Sequence, residues 1–262
     1  MSSKKKKARK KNNIAANRQA SAARRAKRKS IKGDPRRIRT LQNKLQDVYN
    51  TVNLETTCCR QCVCCSVACP QMNYSEAVQI IDVVWANWET EEKRQLLMTS
   101  INYFFSNSMI KPCPLLDNES DTGGCRVYGD RPLNCRLYGQ WPQDVYEQRV
   151  ETFEKATGFE RKQLPLNTQC QHVKRVDGED LSEETINGLF AMVDNIDRQI
   201  GDFSDAQMDQ RYNYRPIHDW LLAKFWGEEA LVFWTEVFRA MTKEEIADLV
   251  EKLHNQVEQM DI

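Results

Sequence analysis

Ten cysteines in 262 residues, six of them between Cys58 and Cys69, constrain this chain more than any other feature. The run T-T-C-C-R-Q-C-V-C-C-S-V-A-C-P supplies Cys58, Cys59, Cys62, Cys64, Cys65 and Cys69. Cys113, Cys125, Cys135 and Cys170 follow, with His172 just beyond the last. Burial as small hydrophobes spreads cysteines along elements and does not cluster them in one loop. Thiolates are soft, strongly donating ligands, so such a cluster predicts zinc or iron, the latter including an iron–sulfur centre. A disulfide framework needs an oxidising compartment, yet residues 1–30 carry charge and no apolar signal core, so a cytoplasmic, reducing location is expected. A redox motif at Cys59-x-x-Cys62 lacks the surrounding βαβ pattern that would support it.

Charge divides the chain as sharply. Residues 1–44 hold 18 of the 38 Lys and Arg against one acid, Asp34, leaving 20 bases and 36 acids for the remainder. The arm begins with Lys4, Lys5, Lys6 and Lys7 and continues through Arg24, Arg25, Lys27, Arg28 and Lys29. With Ile14 and Ile31 as its main apolar residues, it has too little surface to bury against the entropy of ordering, so a disordered free arm is expected. Many bases in a row suit a phosphate backbone, bound without sequence preference and sensitive to salt, making RNA, the ribosome or DNA the expected partner. A solubilising tail, or attraction to the chain's own acidic part, is the plainer account. Asn12–Arg18 superficially matches a leucine-zipper basic region, but Gly33-Asp34-Pro35 interrupts where heptads would start. No stretch has the roughly 20 apolar residues a bilayer span requires, so no membrane partner is expected.

Beyond the arm the pattern predicts a mainly α protein, with helices around an irregular cysteine-rich loop region organised by metal. Three segments are expected: a disordered basic arm over 1–37, a cysteine-cluster domain over 38–205 and a helical C-terminal segment over 206–262 packed on it. Periodicity predicts helices over Ile38–Val52, Glu76–Trp88 with Ser75 as N-cap, a helix capped by Thr90 with Leu97, Ile101, Phe104 and Phe105 inward, Asp144–Thr157 closed by Gly158, and Glu183–Ile200. Pro216–Trp226, Glu228–Met241 and a helix opened by the Thr242–Glu245 capping box complete the chain. Residues 106–142 read as irregular. The C-terminal aromatics read as core.

Taken on spacing alone, Cys59, Cys62 and Cys65 at i, i+3, i+6 let a tight turn aim several sulfurs at one centre, and Cys64 adjoins them. Distal ligands are expected from P-C-P-L at Cys113, G-C-R-V-Y at Cys125, R-P-L-N-C-R at Cys135, and Cys170, with Cys58, Cys69 and His172 as further candidates. Four thiolates satisfy one zinc or one cubane cluster, so two centres are also open. Arg126, Arg131 and Arg136 either steady the thiolates, bind an anion, or pair with loop acids such as Asp130. Cys69 is expected to matter less than Cys125 or Cys135. His218, at a helix start, is expected to be a surface or capping residue, and His254 solvated.

In block order and context, the stretch from Cys58 to His172 resembles the YkgJ-type cysteine-cluster family, described as zinc- or iron-chelating with a C-x-x-C-x-x-C-C signature. Cys62-Val63-Cys64-Cys65 departs from it by one residue. The resemblance implies a metal or cluster centre. A flagellin lysine methylase looks similar in its cysteine cluster, which keeps a protein-modifying enzyme open. Three functions therefore fit: a structural metal centre docked on nucleic acid or the ribosome by the arm, an iron–sulfur enzyme acting by redox or group transfer on a protein or nucleic acid, and a metal-handling protein.

Overall fold

The computed structural model describes residues 35–51, 69–108, 111–117, 124–158, 176, 180–200 and 214–262. Residues 1–34 of the basic arm, Cys58, Cys59, Cys62, Cys64, Cys65, Cys170 and His172 lie outside the described residues, whereas 35–37, expected in the arm, open a helix. Two compact units are distinguished, Met1–Thr40 and Leu41–Ile262, and of the first only the opening of one helix is described.

The protein is mainly helical, as the periodicity predicts. Helix α1 (Pro35–Tyr49) starts before the predicted Ile38, because proline suits a first helical turn where its missing N–H is not needed. Strand β1 (Gln71–Asn73) runs straight into α2 (Tyr74–Asn87), followed by α3 (Thr90–Phe104). The predicted caps each shift by one or two residues: Asn73 and Glu89 hold the N-cap positions, and Ser75 and Thr90 lie inside their helices. The reason at α2 is tertiary. Asp197 accepts the Tyr74 and Ser75 N–H groups at 3.0 and 2.9 Å, satisfying donors a local side chain would otherwise cap.

The stretch read as irregular contains short ordered pieces. Strands β2 (Leu116–Asp117) and β3 (Gly124–Cys125) pair antiparallel, a 3₁₀ turn covers Tyr128–Asp130, and α4 spans Leu133–Arg136. Helix α5 (Gln143–Thr157) ends where Gly158 adopts φ 73°, a left-handed C-cap that glycine takes without Cβ strain. Helix α6 (Glu183–Ile200) matches its predicted bounds. Strand β4 (Tyr214–Pro216) then leads into α7 (Ile217–Trp226), α8 (Glu228–Phe238) and α9 (Lys243–Glu258). The predicted box before α9 is present, with Thr242 N–H on Glu245 Oε2 at 2.8 Å and Glu245 N–H on Thr242 Oγ1 at 3.2 Å.

Two apolar cores form around opposite faces of α2. One gathers Ala77, Ile80 and Val84 with α3, α7, α8 and α9; Cys113, Leu115 and Val127 belong to it. The other joins Leu41, Leu45 and Val48 of α1 to Leu133 and Leu137 and to Ile186, Leu189 and Val193 of α6, with Val78 packed against it. Apolar spacings of three and four residues in α1 and α6 put these side chains on one stripe. The pairing of β1 with β4, which no local signal predicted, sets Gln71 opposite Pro216. It carries the chain just before β1, including Cys69, to the first turn of α7. Among the described residues no helix is long and apolar enough to cross a membrane.

Candidate metal centre

Cys69 and Cys113 meet because both flanking segments are tied to the same core. The Cys69 N–H donates to Lys111 O at 2.7 Å, laying the two chain segments side by side. Cys69 Sγ donates to Pro70 O at 3.9 Å, and the Cys113 thiol is the neighbour that acts on it most strongly. The Ile217 N–H, first in α7, donates to Cys69 Sγ, and the Leu115 N–H donates to Cys113 Sγ. An N–H aimed at sulfur stabilises negative charge there, more so at a helix N-terminus. Hydrogen bonding to Cys113 and then burial push the Cys69 thiol well up. Accepting that bond pulls Cys113 down, against a burial that leaves it 8% exposed. Of the two thiols, Cys113 is the easier to ionise.

Cys135, on α4, lies near enough for its charge to raise Cys69 further. Cys125 shares the small hairpin that follows Cys113, where Leu116 pairs with it across the ladder. Among the described residues no three of His, Cys, Asp or Glu are grouped closely enough to hold an ion.

A group of titratable side chains that local sequence did not reveal surrounds the pair. His218, expected at the surface, is the second residue of α7 and only 4% exposed. Burial and the Lys111 ammonium push its pKa down to about 3, so it is neutral, and its Nδ1 has no partner among the described residues. Its ring stands edge-on to Tyr103 at 5.7 Å, and Nε2 lies 3.6 Å from Asp219 Oδ1. Burial lifts Asp219 to about 6, opposed by Arg215 and Lys111. Burial lowers Lys111, while Asp219 and Cys69 hold its proton on. Tyr103 is raised by burial and by both thiols. These residues come from α3, the segment before Cys113 and α7, so only packing assembles them. The Pro216-Ile217 helix start beside a strand was the one local hint. His254 is also half-buried, not solvated, and its Nε2 has no partner among the described residues.

The three arginines are engaged with rings and acceptors of the scaffold. Arg126 lies 3.5 Å over the Trp88 ring and pairs with Glu92. Arg131 covers Tyr128 at 3.5 Å and donates to its carbonyl at 3.0 Å. Arg136 lies 4.2 Å over Tyr49, donates to Arg131 O at 2.8 Å and also to Gly129 O. Each contact ties the Gly124–Arg136 segment to its surroundings. Cation–π contacts of this kind contribute about 0.5–1 kcal/mol each.

No curated protein and no solved structure matches the chain. Residues 57–171, which include all ten cysteines, match the CxxCxxCC family model, described as "Putative zinc- or iron-chelating domain".

Proposed function

We propose that the 57–171 segment binds zinc or iron through a thiolate set that includes Cys69 and Cys113, and that the ion ties the cysteine-bearing segments to the helical scaffold. The observation that carries this is the paired thiols with backbone N–H groups directed at both sulfurs. A soft divalent ion fits such donors, because N–H groups and the nearby Lys111 ammonium offset the charge that thiolates bring into a buried place. Cys125 and Cys135 join the set from the hairpin and α4, with Cys59, Cys62, Cys64, Cys65 and Cys170 as the remaining sulfurs. When bound, the ion supplies a cross-link among segments distant in sequence, and its binding energy becomes folding energy.

A second function, an iron–sulfur enzyme, is favoured by one observation: the buried group of His218, Asp219, Lys111 and Tyr103 beside the thiols. Elemental analysis and an optical spectrum of anaerobically purified protein separate the two. About one zinc per chain without visible absorption supports the structural centre, brown protein with broad visible bands supports the enzyme, and less than one metal per chain removes both. The basic arm is proposed to add salt-sensitive binding to RNA or DNA on its charge alone. Deleting residues 1–32 should abolish that binding and leave metal content unchanged; equal RNA affinity and salt slope with and without the arm would end the idea.

A further inference from the structure

We propose that Glu76 is the positioning residue of this centre, its single carboxylate setting the spacing of three segments that carry or lead into the cysteines. The proposal rests on the metal-binding function above. Glu76 sits in the first turn of α2 and is 2% exposed. Its Oε2 accepts the Asn73 N–H at 3.1 Å, at the end of the strand that begins just after Cys69. Its Oε1 accepts the Leu133 N–H at 2.5 Å, the first residue of the short helix carrying Cys135. The same oxygen accepts the Tyr49 hydroxyl at 3.0 Å, at the end of α1, from which the chain runs on to Cys58. Tyr49 in turn lies under the guanidinium of Arg136, the residue after Cys135.

Two other helices of the same chain provide an internal control. Glu92 and Glu245 occupy the equivalent third position of their helices and accept the equivalent backbone N–H, at 2.8 Å in each case. Both are exposed or half-exposed; Glu245 makes no bond beyond its helix start among the described residues, and Glu92 adds only the Arg126 pair at the surface. Capping α2 therefore did not require burial. A buried carboxylate is costly unless fully hydrogen-bonded, and the two extra donors at Glu76 come from other segments. What burial achieves here is a fixed distance between Asn73, Leu133 and Tyr49. Asp197 anchors α2 from its far side through Tyr74 and Ser75, so the carboxylate has a rigid base.

Glu76→Gln keeps the volume but turns one acceptor into a donor facing a donor, so the three segments cannot all keep their spacing. The test is metal affinity of full-length protein by chelator competition with added zinc, together with the thiolate charge-transfer spectrum of the cobalt-substituted protein. Glu76→Gln should bind zinc about 10-fold or more weakly than wild type and shift the cobalt spectrum, at unchanged helical circular dichroism. Tyr49→Phe, which removes one donor, should weaken binding less and in the same direction, and it decides the matter if Glu76→Gln fails to fold. Glu245→Gln, at the equivalent position of α9 and bonded only to its own helix start, should match wild type. Wild-type affinity and spectrum in folded Glu76→Gln, or in Tyr49→Phe should Glu76→Gln not fold, would overturn the positioning role while leaving the metal centre standing. A wild-type protein that takes up no zinc or cobalt removes the centre and this proposal together.

Discussion

The C-terminal helices and the cysteine-bearing segments are held by different forces. In α3 and α7–α9, Leu97, Ile101, Leu221, Leu222 and Val257 are fully buried. Trp234 there meets Phe104, Phe105 and Trp226 with ring centroids 6.1, 5.7 and 6.1 Å apart. Each such side chain contributes about 1.5–3 kcal/mol by leaving water, without regard to direction. The stretch from Lys111 to Arg136 has a two-residue ladder, a 3₁₀ turn and a four-residue helix. Leu115, Val127 and Leu133 anchor it in the two cores, and between those anchors arginine–ring stacks, single backbone bonds and the Glu76 carboxylate fix its course. Apolar packing tolerates small displacements; directional contacts fail together once spacing is lost. An ion therefore changes the second region far more than the first.

Removing the metal should break that contrast most visibly. Stripping it with a chelator, or Cys113→Ser, should raise hydrogen exchange across residues 113–136 while amides of α7 and α9 keep their protection. Structural zinc contributes on the order of 10 kcal/mol to small domains, so the effect should be large. Uniform exchange through both regions would show that they are one cooperative unit. Next in size, Trp234→Ala should cost about 3–5 kcal/mol in urea unfolding and leave metal per folded chain unchanged. Metal loss in folded Trp234→Ala would mean that the core shapes the centre directly.

His218 joins the two regions, and pH addresses it. Its folded pKa of about 3 lies below the ordinary 6.5, so the stability contributed by the neutral ring is present above 6.5 and lost as pH falls toward 3. Asp219, raised to about 6 from 3.8, runs the other way: its contribution is present below 3.8 and lost as pH rises through 6. His218→Leu should therefore flatten the decline in stability between pH 6.5 and 3. An unchanged slope in chemical denaturation would place the acid sensitivity elsewhere. Smallest of all, Thr242→Ala removes the cap of α9 and should cost about 1 kcal/mol with no change in metal content. A shift in metal content would tie even this distal helix to the centre.

Much of the helical frame was legible in advance. Glu183–Ile200 and the start of α9 carry apolar spacings and caps that are local, and Gly158 ends α5 for a reason written in its own backbone freedom. The cysteine clustering likewise announced metal chemistry without any fold. The cap of α2 was misplaced because Asp197, far along the chain, takes over part of the work. His218 was read as a surface residue because a helix start gives no warning that a β1–β4 pairing will bury it.

Sequence by itself thus determined which chemistry this protein carries, because thiol ligands and helical periodicity are properties of residue type and short spacing. Tertiary structure alone decided that Cys69 partners Cys113, that Ile217 and Leu115 turn their N–H groups on those sulfurs, and that Glu76 sits at the junction of three segments. Those relations depend on strand register and on buried polar groups finding donors across the fold, and neither leaves a mark on neighbouring residues.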